Sequence, residues 1–426
     1  MIIKNGKVFY KGVIVKKNIV VEGGKIVSFG KGKGESFDAS GMVVIPGVID
    51  VHVHFREPGA TQKEDFLSGS RAAASGGVTT VIDMPNTSPP TTTVETLEQK
   101  RAIAKKSMVN YGFYFGATET NMDEIRKAKN IAGIKVFMGS STGDLLVTDN
   151  TALNAIFACG RPVVVHAEDE AIIKKNAEKY KNEHDPIVHT RIRSNECAEA
   201  AVRKAIELAG RNKTKLHILH ASTKQEMELI AAAKESVDLS CEATPHHLFL
   251  TANDMKKLGN FARMNPPLRS QQDVDALWNG IKNGTIDLVA TDHAPHLPWE
   301  KDVDYWKAPS GVPGVETSLP LLLNAVNSNR LSLQQLVRLT SETPARRFCI
   351  RGKGMIEKGM DADLTVVDLK KEKTIKNSDI VSKCGWTPFN GFKVKGAVIA
   401  TVVGGQLAYE KGEFGEARGA EIKYGN

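Results

Sequence analysis

The sequence predicts an α/β chain: a (β/α)8 TIM barrel over residues 47–346, with a small β-sandwich domain formed by both termini, residues 1–46 and 347–426. Three observations predict it. Eight apolar runs of strand length alternate with helical stretches through the middle of the chain. Both ends are β-rich. Ionisable residues gather at the C-terminal ends of the apolar runs, where a barrel builds its site.

The N-terminal end offers short strands at Ile2-Ile3, Lys7–Tyr10, Ile19–Glu22 and Lys25–Phe29, divided by Asn5-Gly6 and Gly23-Gly24 turns. The C-terminal end reads similarly, with Ala362–Asp368, Val394–Val403 and Gln406–Glu410, and Gly404-Gly405 as a hairpin turn. Between them the strand-like runs are Val43–Val53, Thr79–Met84, Tyr111–Gly116, Gly133–Gly139, Pro162–His166, Lys215–His220, Val237–Ala243 and Asp287–Thr291. Glu196–Ala209 and Gln225–Lys234 have the spacing of amphipathic helices. Alternation alone also fits a doubly wound open sheet.

Composition narrows the function classes. Of 426 residues, 41% are hydrophobic and 25% charged, as in globular proteins with a sizeable core. The net charge of +8 is spread in short runs such as Lys16-Lys17 and Lys370-Lys371, so no nucleic-acid partner is expected. No run approaches the roughly 20 apolar residues of a membrane span, and the first residues lack a signal-peptide stretch. Five scattered cysteines with no CxxC pair point to reduced thiols and a cytoplasmic setting.

The chemistry sits at the strand ends. His52 and His54, two apart on a strand, point to one side and can reach one metal ion. Neutral imidazole suits zinc. His166, His220 and Asp292 end three later strands and strengthen the metal reading. Lys135 lies inside the apolar run Gly133–Gly139, where an ammonium is costly. Two explanations stand side by side: a buried ion pair or snorkelling side chain, or a neutral amine converted by carbon dioxide to a carbamate whose two oxygens bridge two metal ions.

The motifs resemble those of the amidohydrolase superfamily, and within it the dihydroorotases. The resemblance runs through PGVIDVHVHFREPG (46–59), GGVTTVIDMPNTSPP (76–90), GIKVFMGSS (133–141), VVVHAED (163–169), LHILHAST (216–223) and CEATPHHLFL (241–250). It continues through MNPPLRSQQD (264–273), ATDHAPH (290–296), SGVPGVETSLP (310–320) and GMDADLTVVD (359–368). It implies two zinc ions per subunit. His52, His54 and Asp292 would hold the more buried one and His166 and His220 the other, with N6-carboxylated Lys135 and a hydroxide bridging them. Arg56, Asn86 and His296 would hold the substrate, helped by Asn265. Many bacterial relatives bridge with an aspartate slightly further on. Gly139 and Ser140 favour the lysine version, which leaves the region of Asp144 as a loop.

The reaction so implied is the reversible cyclisation of N-carbamoyl-L-aspartate to L-dihydroorotate in pyrimidine synthesis. The bridging hydroxide would attack the ring amide, with Asp292 as catalytic proton shuttle. Arg56 would fork onto the substrate carboxylate. The resemblance also implies a homodimer acting on a small-molecule substrate. Allantoinases and hydantoinases share the ligands but normally lack the arginine after the HxH and the last histidine of DHAPH. A catalytically inactive scaffold would usually have lost ligands.

The remaining histidines carry plainer expectations. His184 and His189 fall off the strand ends and are expected at the surface or in structural roles; His246 and His247 are expected to support the site. His217 should pack or hydrogen-bond opposite His220, while His293 should orient Asp292 or a ligand and Asp50 should support the ligands from behind. The glycine-bearing segment Ser310–Glu316 is expected to close over the substrate.

Overall fold

The computed structural model describes residues 1–141 and 145–425; Asp144 lies outside them. Three strands, Val48–Val53, Val78–Asp83 and Asn110–Phe113, pair in parallel in chain order. The third resumes as Phe115–Gly116 and opens a second parallel run. That run continues through Ile134–Phe137, Val163–His166, Leu216–Ile218, Leu239–Ala243 and Leu288–Val289. A parallel bridge between Val53 and His293 closes the circle. The expected parallel barrel is therefore present, and the open sheet is not.

Helices cover the barrel, and their caps prepare its mouth. Helix Lys224–Ala233 begins just after His220. Thr223 accepts from the Glu226 amide at 3.1 Å, while the Glu226 carboxylate takes the amides of Thr223 and Ser222 at 2.8 and 2.9 Å. This reciprocal cap satisfies amides that helix formation leaves unpaired and fixes the turn that follows the histidine. Helix Asn195–Asn212 buries Cys197, Ala198, Ala201, Val202, Ala205, Leu208 and Ala209, one stripe at helical spacing. It overruns the expected Glu196–Ala209 at both ends.

The termini build two further sheets. Val13–Lys16, Lys7–Tyr10, Val43–Pro46, Leu364–Thr374, Lys393–Val403, Gln406–Glu410 and Glu413–Phe414 lie side by side in that order. Ser36–Asp38, Ile2–Lys4, Ile19–Glu22 and Lys25–Phe29 form the other. Ile3, Val8, Ile19, Val44, Leu364 and Val402 belong to one buried apolar cluster. Burying each such side chain stabilises by roughly 1.5–3 kcal/mol.

The run Val43–Val53, read from sequence as one strand, is two. Val43–Pro46 pairs with Leu364–Val367, and Val48–Val53 enters the barrel. The break falls at Gly47, whose amide donates to Asp363 O at 2.9 Å. A Cβ there would stand 2.2 Å from the Thr79 hydroxyl. Hydrophobicity does not mark the junction, because both strands are buried throughout. No helix among the described residues is long and apolar enough to cross a membrane.

Candidate active site

The mouth of the barrel collects what the spacing placed at its strand ends. His52, His54, Arg56, Asn86, Lys135, His166, His220, Asn265 and Asp292 line one narrow cavity, together with Phe137, Ser141, Ala294, Ser310 and Gly311. His296 stands just behind it, with Nε2 3.0 Å from Arg56 Nη2. Arg56, His220 and Asp292 have φ of 61°, 35° and 47°, in the left-handed region that costs a side-chain-bearing residue energy. Strained backbone thus coincides with three of the expected site residues.

One ligand group is explicit. Nε2 of His52 and of His54 lie 3.1 and 3.0 Å from the same oxygen, Asp292 Oδ1. The other ring nitrogens are occupied: His52 Nδ1 meets Glu242 Oε1 at 2.5 Å, and His54 Nδ1 meets Asn86 Oδ1 at 2.7 Å. Both rings are thereby turned with Nε2 toward the carboxylate, the outer support usual for metal-ligating histidines. These three residues could hold one metal ion. Asp50 ties the two strands together by accepting from the Thr291 hydroxyl at 2.5 Å and its amide at 3.1 Å.

A second pair lies beside it. His166 Nδ1 faces His220 Nε2 at 3.0 Å. His166 Nε2 stands 3.0 Å from Glu168 but out of line for a hydrogen bond. Lys135 reaches the same cavity; its Nζ is buried, has no hydrogen-bond partner and sits 4.3 Å from the centre of the Phe137 ring. Of the two explanations for this lysine, an ion pair is not present among the described residues.

The charge states follow from burial and neighbours. Burial drives Lys135 down to about 7, against the pull of Asp292 and Glu242, so much of it is neutral amine near neutrality. Burial also lowers His54 to about 4, and pushes His166 and His220 down. Burial opposes a charge on His52 too, but Asp292 and Glu242 outweigh it and hold its pKa near 9. Burial would raise Asp292; the imidazoles of His52 and His54 prevail and keep it well below the usual carboxylate range.

Beside the ligand groups stand two cations, Arg56 and Lys63, the latter paired with Glu300 at 2.7 Å. Arg56 Nη2 and Lys63 Nζ approach opposite nitrogens of His296, at 3.0 and 3.1 Å. Burial, then the charges of Arg56, Lys301 and Lys63, force this imidazole neutral. A neutral ring has one acceptor nitrogen, so two donor-only cations leave one contact mismatched. An anion placed beside Arg56 would relieve it.

Several supporting residues escaped the sequence reading. Glu242 also meets His217 Nε2 at 3.1 Å, which assigns His217 the expected hydrogen-bonding role. Lys100 is fully buried against Asp83 at 2.5 Å; the other oxygen of Asp83 takes the Phe55 amide, next to His54. Glu168 pairs with Arg193. A carboxylate inside an apolar strand, as in Leu239–Ala243, was the available signal. His184 is exposed beside Asp304, whereas His189 is buried and bonded to Asn265. His293 bonds the amides of Gly314 and Val315 through Nδ1, so it orients that segment and not Asp292.

That contact bears on the expected lid. Gly311 through Val315 are buried, Gly311 N bonds Arg263 O, and Lys301 donates to the carbonyls of Pro309 and Gly311. The segment is built into the wall; its glycines serve close approach, as at Gly311, where a Cβ would lie 2.6 Å from Ala294 O.

The comparisons agree with this geometry. The Amidohydrolase family model matches residues 43–408. A dihydroorotase of Methanosarcina acetivorans is 43% identical over 410 residues, covering 91% of this chain and 88% of the relative. One of Halobacterium salinarum is 44% identical over 358 residues, 82% of each. Among solved structures, an L-hydantoinase (dihydropyrimidinase) from Arthrobacter aurescens superposes with a TM-score of 0.94 at 34% identity, covering 99% of both chains. A dihydropyrimidinase from Brevibacillus agri gives 0.93 at 27%, covering 100% of this chain and 99% of the other. The chain belongs to the amidohydrolase family, and its curated relatives described here are dihydroorotases.

Proposed function

We propose that this enzyme is a dihydroorotase, interconverting N-carbamoyl-L-aspartate and L-dihydroorotate. The observation that carries the reading is the Arg56 guanidinium, which lines the cavity beside the His52–His54–Asp292 group and is backed by neutral His296. L-dihydroorotate carries a carboxylate next to its ring, and a guanidinium fork matches it. Dihydropyrimidine and hydantoin rings without that carboxylate leave the Arg56–His296 contact unrelieved. The structural likeness to hydantoinases supports the ring chemistry; the dihydroorotase relatives and Arg56 favour the charged ring.

The donor set fits two zinc ions. His52, His54 and Asp292 would hold one, His166 and His220 the other, and Lys135, as its N6-carboxylate, would reach both. The orphaned Nζ of Lys135, its pKa brought down to about 7 by burial, supports this fit. When bound, the metals would polarise the ring carbonyl and acidify the attacking water.

The chain's own groups do the rest. Arg56, backed by His296 behind the cavity, fixes the substrate carboxylate, so the ring amide points at Asp292 and not away from it. Asp292, held ionised, takes a proton from the attacking water and returns it to the ring nitrogen as the amide bond breaks. Cyclisation runs the same transfers in reverse. Asn86 holds His54 in register while facing the cavity.

We read the chain as two parts, the barrel over 47–346 and a composite β domain of 1–46 with 347–426. We also read it as a cytoplasmic homodimer. The first test supplies zinc-loaded protein with L-dihydroorotate and, in parallel, allantoin and dihydrouracil. Ring opening of dihydroorotate alone is expected. Activity confined to a neutral ring would move the assignment to the hydantoinase side, and a fully metallated protein inert on all three would favour a scaffold.

A further inference from the structure

His189 lies outside the reaction described above, yet it is 2% exposed and fully engaged. Its Nε2 stands 3.0 Å from the Met264 carbonyl and 2.9 Å from Asn265 Oδ1; its Nδ1 stands 2.9 Å from the Tyr305 hydroxyl. The proton count follows from the partners. A carbonyl oxygen only accepts, so Nε2 carries the hydrogen. The atom of Asn265 that shares this hydrogen must then be its oxygen, and the Asn265 NH2 is left on the other side. Asn265 lines the cavity, and among the described residues no protein acceptor takes its Nδ2 hydrogens.

The remaining valence closes the chain. With Nε2 protonated and the ring neutral, Nδ1 can only accept, and Tyr305 donates to it. Burial, with Arg263 and Arg193 close by, keeps the ring neutral against the weaker pull of Glu168. Tyr305 is itself fixed: the Arg263 guanidinium lies 4.3 Å over its ring and bonds its carbonyl. From the other side, His247 Nε2 reaches the Pro266 carbonyl at 3.1 Å, and its Nδ1 meets the Thr244 hydroxyl at 2.7 Å. Two buried histidines thus clamp residues 264–266.

We propose that Tyr305 and His189 are positioning residues that fix the Asn265 amide with its NH2 toward the substrate, so that Asn265 selects a carbonyl or carboxylate oxygen there and rejects a donor. This rests on reading the cavity as the dihydroorotate site. An unclamped asparagine could turn over and offer its oxygen instead. The clamp therefore sets specificity through another residue's orientation, without touching the substrate.

The test is a double-mutant cycle on the zinc-loaded holoenzyme, reading KM and kcat separately. His189→Leu removes the Nε2 donor and should raise KM for L-dihydroorotate at least tenfold. His189→Gln, whose amide nitrogen can replace Nε2, should recover most of that loss. In an Asn265→Ala background, His189→Leu should change KM less than twofold. Tyr305→Phe, which frees the tautomer, should raise KM less than His189→Leu does.

Equal effects of Leu and Gln at position 189, or full additivity with Asn265→Ala, would overturn the proposal and leave His189 a packing residue. Melting temperature and bound zinc are measured on each variant, and Tyr305→Phe serves should His189→Leu fail to fold. Wild-type turnover of L-dihydroorotate decides the substrate reading separately. If the wild type opens another ring, the same cycle on that ring decides the clamp.

Discussion

The barrel mouth and the terminal sheets are similarly buried and differ in what they bury. The cluster around Ile3, Val44 and Val402 is apolar throughout. The mouth buries His52, Lys135, His220 and Asp292 at 1–8% exposure. Among the described residues, every buried side-chain polar atom lacking a hydrogen-bond partner belongs to the barrel or to Tyr424; none falls in 1–46 or 347–423. Unpaired buried polar groups cost stability, so the barrel bears that cost, at Lys135 and His166 of its mouth among other places, and the sheets are where it is recovered.

The sharpest way to break this contrast is at Asp292. Asp292→Ala should lower kcat by about 10^4 or more while circular dichroism and oligomeric state stay unchanged, because ligation and proton transfer are lost together. Retained activity would remove Asp292 from the chemistry. Arg56→Met should lower kcat/KM for L-dihydroorotate by about a hundredfold and leave any residual dihydrouracil activity nearly untouched. A uniform loss on both rings would mean that Arg56 does not read the carboxylate.

Glu242 probes the support beneath the ligands. Glu242→Gln should weaken zinc retention about 10–100-fold in chelator competition, since it releases His52 Nδ1. Unchanged retention would show that the ring is held by packing alone. In the sheets the expectation reverses: Ile399→Ala should cost about 2–5 kcal/mol in denaturant unfolding, with kcat unchanged. A matching fall in kcat would erase the division between the two regions.

The smallest effect concerns the seam. Glu316 lines a cavity of about 310 Å3 with Ser75, Lys373 and Tyr409. Burial raises its pKa to about 7, although the amides of Val381 and Ser382 lower it. A raised carboxyl binds its proton more tightly folded than unfolded. Its neutral form is therefore tolerated at low pH, and stability falls as pH climbs from about 4.5 through about 7. The melting temperature should drop a few degrees across that window, and less in Glu316→Gln. Identical slopes would remove Glu316 from the balance.

Much of this was legible in the sequence, for physical reasons. Period-two spacing put His52 and His54 on one side, and barrel geometry brought His166, His220 and Asp292 to the same mouth. What was hidden depends on contacts distant along the chain. Gly47 breaks a run whose hydrophobicity never changes, and Lys100 reaches from its helix to Asp83 at a strand end. His189 lies far from Asn265 in sequence, and its neighbourhood has no strand pattern, so its burial could not be read from spacing. The segment Ser310–Glu316 misled because glycine marks close approach as well as mobility.

Trp386 donates its indole N–H to the His296 carbonyl at 2.7 Å, and Lys383 bonds Asp65 across the same seam. The histidine beside Arg56 is thus seated by a residue that leaves the ribosome 90 positions after it. A nascent chain with its whole barrel already made would still lack that prop. Catalytic competence should appear late in translation, with emergence of the last sheet strands, and not when the eighth barrel strand closes on the first.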